Sequence, residues 1–283
     1  MAQTHFSPGQ CMAVVEQSPA AVAVHDKDAW LGIFAMTAIV EDPVGSRPHI
    51  SVVPGASTSR APNDALSRFY ETFIAANDIR FHVNRDIVCG LHVVRDLTLE
   101  IAMSSEVTVR VPMHLLYELQ EECGELRVSR LAAYWELRPM LQQQMAFSWP
   151  HLKVAVASAW RMLRFLGFGG TAGFIRAVSS VGVAGKQRAN KFSECFNHRR
   201  TEELVALFAS TEVLIHFPCG ERSLTIEQFS AMDGELQAGK ILAAGNVVSA
   251  SMRYQSEQAS GAGVAFFELD RSSLQIVALS FYM

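Results

Sequence analysis

The sequence predicts an α+β fold built twice over, and three observations predict it. Helical periodicity fills the early residues and gives way to strand-like segments joined by short turns; the same order returns after residue 190; the stretch between the two is helical in character. Helices followed by adjacent, tightly connected strands imply an antiparallel sheet. A chain of 283 residues, 49% hydrophobic and 18% charged, has the composition and length for two separate cores. The expected division is a domain over 1–140, a helical connector over 141–190 and a second domain over 191–283.

Each element follows from local chemistry. Residues 11–36 carry Ala20, Ala21, Ala23 and Ala29, with Trp30, Ile33 and Phe34 at helical spacing and Asp26 as an N-cap. Two short helices broken near His25 are expected. The run 38–42, "AIVED", reads as a strand that Pro43 ends, because proline donates no ladder bond and holds its predecessor extended. Residues 46–62 are rich in Pro, Ser, Gly and Arg and read as loop. Asn63 then caps a helix whose apolar face is Leu66, Phe69, Tyr70, Phe73 and Ile74. Four strands are expected over 78–89, 92–103, 106–119 and 125–137, with turns at Gly90, Ser104-Ser105 and Cys123-Gly124. Period-two alternation is plain at Ile79, Phe81 and Val83, and again at Val107, Val109 and Val111.

The connector begins as a helix, "HLKVAVASAWRMLRFL", with Lys153, Arg161 and Arg164 roughly on one side, and "GFGGTAGF" breaks it. The eleven uncharged residues between Arg164 and Arg176 fall short of the roughly 20 that a membrane-spanning helix needs. A buried connector is the first reading; contact with a membrane surface through 152–184 is the second.

Past residue 190 the first half is repeated in outline. Set "AIVEDPVG" (38–45) over "VLIHFPCG" (213–220) and the apolar residues, the proline and the glycine coincide. "LRVSRLAAYWEL" and "LQIVALSFYM" correspond at the two ends. The reading is an internal duplication in which Glu41 and Asp42 are matched by His216 and Phe217.

Several function classes are set aside by composition. A formal charge of −4 with no Lys/Arg block argues against nucleic acid as a partner. Five scattered cysteines without a C-x-x-C pair indicate neither a disulfide framework nor a zinc site, and a cytoplasmic location is expected. The N-terminal residues lack a basic region followed by an apolar run, so no secretory signal is expected. No G-x-S-x-G or H-E-x-x-H occurs, and neither "GFGGTAG" nor "GVAGKQ" has the spacing of a phosphate loop. No metal or cofactor is expected.

Three stretches, "HDKDAWLGIFAMTAIVEDPVGS", "RFYETFIA" and "LRVSRLAAYWEL", together resemble the ketosteroid isomerase branch of the NTF2-like (SnoaL-like) superfamily. The likeness covers the first domain and is looser in the second. It implies two cone-shaped domains, each a curved antiparallel sheet with helices around an apolar pocket. It also implies that Asp42 is the general base that moves a proton on a 3-oxo-Δ5 steroid. Trp135 would line the pocket, with Phe34, Phe69, Phe73 and Leu131 as further walls, and Tyr70 would join the hydrogen-bond network of the oxyanion site. The departures are as informative. The family's oxyanion tyrosine falls at or near Ser18, and its protonated acid falls at Met113 to Leu115. Tyr70, His114 and Tyr117 are the candidate replacements, although alternation places His114 on the face opposite Met113 and Leu115.

Blander readings stand beside these. An Asp before Pro at a strand end is commonly a turn residue, and Trp135 and Tyr70 are commonly core aromatics. The expected function is cofactor-independent proton transfer by Asp42 on a small hydrophobic carbonyl compound. The alternatives are non-catalytic binding of a hydrophobic ligand, or a polyketide cyclase or dehydratase of the same superfamily. An enzyme needs a donor facing Asp42 across the cavity; a binder needs only apolar walls. Homo-oligomerisation, and packing of the two halves through their sheets as in the superfamily's dimers, are also expected.

Overall fold

The structure is a computed structural model that describes residues 6–51, 64–144, 148–219 and 222–283. The chain divides into two compact units, Met1–Val178 and Ser179–Met283.

In the first unit, α1 (Pro8–Ala23) starts at Ser7. The Ser7 hydroxyl accepts from the Gln10 N–H while the Gln10 side chain accepts from the Ser7 N–H, so two N-terminal donors are satisfied at once. His25 takes φ 56° and turns the chain into α2 (Lys27–Gly32), where the Asp26 carboxylate caps the Ala29 N–H at 2.9 Å. The helix stops sooner than its periodicity suggests. Phe34, expected on the helix, opens β1 (Phe34–Glu41), because its backbone finds a sheet partner at Val128.

After β2 (His49–Ile50) comes α3 (Asp64–Phe69), which widens into a π turn over Tyr70–Ile74. The expected cap Asn63 and most of the 46–62 loop lie outside the described residues. The strands β3 (Asp78–Cys89), β4 (His92–Ala102), β5 (Thr108–Glu122) and β6 (Glu125–Tyr134) form a meander close to the expected one. The sheet order is β2-β1-β6-β5-β4-β3. It is mixed and not wholly antiparallel, since β1 runs parallel to β6. The loop and helix between β1 and the meander supply the length that a parallel neighbour needs. Two helices follow, α4 (Leu137–Gln144) and α5 (Trp149–Ile175), the latter bent where Gly167 adopts φ 68° within the predicted glycine break.

In the second unit, α6 (Gly182–Asn197) and α7 (Thr201–Val205) precede β7 (Ile215–His216), β8 (Ser223–Leu224) and α8 (Ile226–Ser230). The strands β9 (Glu235–Ala244), β10 (Val247–Gln255), β11 (Ser260–Leu269) and β12 (Ile276–Tyr282) complete a sheet of order β8-β7-β12-β11-β10-β9. The order and the parallel pair β7·β12 reproduce the first unit. The registers agree as well: Val40 faces Leu131, and Ile215 faces Leu279. The stretch 141–190, expected as a connector, is shared out: α5 belongs to the first unit and most of α6 opens the second.

The strand that carries Asp42 is pinned from the side. The β1·β6 register shifts between Phe34 and Ile39, and in that interval the fully buried Ser51 hydroxyl accepts from the Ala38 N–H at 2.6 Å and donates to the Met36 carbonyl at 2.8 Å. Ser51→Ala leaves both backbone groups unpaired. We expect it to lower the unfolding free energy by about 1–3 kcal/mol, measured as a reduced urea midpoint at unchanged slope.

Candidate functional site

Alternation along β1 sends its two terminal acids to opposite sides. Glu41 meets Arg130, whose Nε donates to the Glu41 carboxylate at 2.8 Å while Nη1 donates to Glu118 at 2.6 Å. Asp42, the next residue, lines a cavity of about 160 Å³ inside the first unit. Leu131, Val111, Met113 and Leu115 supply walls from the sheet, and Trp30, Phe69, Phe73 and Phe174 supply them from the helices.

Because β1 and β6 run in parallel, the residue just beyond β6 lands beside the residue just beyond β1. That residue is Trp135, whose indole Nε1–H donates to Asp42 Oδ1 at 2.5 Å. Burial in the apolar cavity raises the Asp42 carboxyl from its ordinary 3.8 to about 6, with the Trp135 hydrogen bond pulling the other way. The character of the partner matters here. A guanidinium in place of the indole would hold the carboxylate firmly ionised, whereas a neutral N–H orients the group and leaves it able to take up a proton near neutrality.

A second polar group enters the cavity from β5. Tyr117 shares the parity of Met113 and Leu115 and is buried in the cavity wall, with its hydroxyl hydrogen-bonded to Ser18 of α1. Burial raises the phenol above its ordinary value. Ser18 and the Arg95 guanidinium oppose that rise, while the Asp42 and Asp86 charges add to it. Arg95 is itself buried and held by Asp86, with Nε to Oδ1 at 2.7 Å and Nη2 to Oδ2 at 3.0 Å. The arrangement is a neutral O–H donor in the same apolar cavity as a carboxylate of raised pKa.

The other residues singled out from sequence divide into two groups. Asp42, Trp135, Phe69, Phe73 and Leu131 are together in the cavity wall; Tyr70, His114 and Phe34 are not among its lining residues. Tyr70 sits in the π turn, its ring 5.6 Å from that of Trp30 and its hydroxyl buried without a hydrogen-bond partner. Its pKa is raised by burial and then by the Asp26 and Glu71 charges. His114 lies fully buried on the opposite face of β5, with Nε2 3.8 Å from Asp96, as strand alternation requires. Phe34 packs edge-on against Trp30 at 4.8 Å in the core. Ser18 and Arg161 line the cavity without having been assigned a role from sequence. Tyr117, one of three candidate donors offered by the sequence, reaches the cavity because it shares the parity of Met113 and Leu115 along β5. Among the described residues no group of three His, Cys, Asp or Glu side chains is placed to hold a metal ion.

Substituting Trp135 by Phe removes the donor and keeps the apolar bulk. We expect the Asp42 pKa to rise further above about 6, read from a carbon-detected NMR titration of the Asp42 carboxyl. A value unchanged or lowered would mean that the indole does not act on the carboxylate.

No protein-family model matches the chain, and no curated protein matches it. Solved structures do, over about half of its length. A Δ5-3-ketosteroid isomerase from Mycobacterium sp. is 24% identical, with 46% of this chain and 95% of that one covered at a TM-score of 0.37. A Mycobacterium tuberculosis protein in complex with estradiol-17beta-hemisuccinate is 22% identical, covering 46% of this chain and 95% of that one at 0.37. A polyketide cyclase described as putative, from Pseudomonas putida, is 14% identical, covering 47% and 97% at 0.35. The likeness extends over about half of the chain, which itself comprises two α+β units, each with a six-stranded mixed sheet.

Proposed function

We propose that the first unit is a cofactor-independent isomerase of the ketosteroid isomerase kind, in which Asp42 carries a proton between two carbons of a hydrophobic carbonyl compound. The observation that supports it is the presence of Asp42 and Tyr117 in one apolar cavity. Ionised Asp42 takes the proton next to the carbonyl, and the charge that develops on the carbonyl oxygen needs a hydrogen-bond donor. Tyr117 is assigned that role, with Ser18 orienting its hydroxyl from the place where the resembling family has its tyrosine. Protonated Asp42 then returns the proton at the second carbon. A base must be ionised to act, so a carboxyl titrating near 6 gives a rate that rises with pH through about 6 and levels off above it.

The test is incubation with a 3-oxo-Δ5 steroid, following absorbance of the conjugated enone. Asp42→Asn should lower kcat by about 100- to 10,000-fold and Tyr117→Phe by about 100- to 1,000-fold, each with the steroid still bound. Activity that survives Asp42→Asn removes Asp42 as the base. A second reading, an apolar-ligand binder, is favoured by the residues at the family's two donor positions: Ser18, and the apolar run Met113 to Leu115 around the outward-facing His114. Tight steroid binding with no turnover in the wild type would assign it.

The outer face of α5 supports contact with a membrane surface. Trp149, Leu152, Val156, Trp160 and Leu163 are exposed and lie within an arc of about 80° at the helical repeat. Lys153 and Arg164 flank the stripe, and no Asp or Glu occurs from 137 to 178. An apolar stripe with tryptophans and only cationic neighbours suits an anionic bilayer surface. Among the described residues no helix is long and apolar enough to cross a membrane, so the contact would lie in the interface plane. The full chain should float with phosphatidylcholine/phosphatidylglycerol vesicles and not with phosphatidylcholine alone, and substituting Trp149 and Trp160 by Ala should abolish flotation. Failure to float with either vesicle, or self-association through the same face, overturns it.

A further inference from the structure

Helix α5 has an inner face as well. Ser158, Arg161 and Met162 line the cavity, and Arg161 is the single cation among the lining residues. Its Nη2 donates to the Ser158 hydroxyl at 3.3 Å, and its Nε is buried with no hydrogen-bond partner. No ion pair holds the guanidinium among the described residues, and the acid-free stretch 137–178 offers no local counter-charge. Asp42, the one carboxylate in the wall, is already engaged by Trp135. A planar cation in an apolar wall is costly to maintain unless something supplies the opposite charge.

We propose that Arg161 anchors an anionic end group of the ligand, so that the compound taken up is an apolar body ending in a carboxylate or a phosphate. This rests on the reading of the cavity as an apolar-ligand site, and not on catalysis by Asp42. The guanidinium presents parallel N–H donors that match two oxygens of such a group, and the unpartnered Nε is available as one of them. Met162, Phe174, Leu141 and Phe73 offer the apolar body its surface. A neutral ligand could meet the buried Nε with an acceptor but would leave the guanidinium without a counter-charge. Burial also lowers the pKa of Arg161, the direction expected of a cation that lacks a counter-ion.

The experiment uses the full chain and two fluorescent probes, dansylaminoundecanoic acid and its methyl ester, in mildly alkaline buffer where Asp42 is ionised. The wild type should bind the acid at least about tenfold more tightly than the ester, the size of effect that a charge-assisted hydrogen bond gives. Arg161→Met should erase the preference by weakening the acid more than the ester, with a cooperative urea unfolding transition showing that the variant is folded. Arg161→Lys should keep part of it. Displacement by dodecanoate as against dodecyl phosphate tells which anion fits better, and displacement by dodecanol equal to both refutes the anchor. Equal binding of acid and ester by the wild type, or a preference that survives Arg161→Met, overturns the proposal while leaving the apolar cavity intact. Binding of neither probe overturns the cavity reading and the anchor with it. Asp42→Asn removes a like charge from the same cavity and should leave the acid preferred over the ester, so loss of the preference in that variant would place the anchor elsewhere.

Discussion

A carboxylate that looks into an apolar cavity with only a neutral N–H to hold it is the constraint around which the first unit is arranged. Asp42 gains orientation from Trp135 without gaining a counter-charge, and desolvation therefore sets its protonation near neutrality. For that to happen the strand must end in the right place, the next strand must run parallel so that the indole arrives alongside, and the neighbouring acid must be taken elsewhere. The Arg130 bridge to Glu41 and Glu118 does the last of these on the other face of the sheet. With a cation in place of the indole, the same fold would hold a permanently ionised and much less versatile acid.

Charge is handled by sidedness throughout the unit. Buried Arg95 is held by Asp86 through Nε and Nη2, and buried Tyr117 is left a neutral phenol. His114 and Asp96 sit on the far face, one residue out of step. A single-residue slip in β5 would exchange Tyr117 for a Leu and bring His114 to the interior, so the register of the β4·β5·β6 meander decides which chemistry the cavity has.

The parts of this that were legible in the sequence were those with a short-range cause. The helix break at His25, the Asp26 cap, the meander and the end of β1 at Pro43 follow from propensity, capping and alternation, and each is present in the structure. Phe34 was misplaced because its helical spacing with Trp30 is real but outweighed by strand pairing with Val128. Tyr70 was placed near the site by its motif, yet it sits in a π turn with its ring against Trp30 and outside the cavity lining, and no local pattern announces that geometry. The place of Arg161 was out of reach for a similar reason: a charge on an amphipathic helix reads as solvated until one face of the helix is seen to line a cavity.

The duplicated unit carries a different lesson at the matching strand end. Phe217 stands in the place of Asp42, and by the shared register Met283 stands in the place of Trp135. Carboxylate and indole are replaced together, as two halves of one device. Phe217 packs against Phe229, Tyr254 and Phe281 at 5.6, 5.4 and 5.3 Å, and Phe192 and Phe267 continue the ring cluster inward. The same topology thus carries, at corresponding strand ends of one chain, a carboxylate that looks into a cavity and a phenylalanine locked into a cluster of rings.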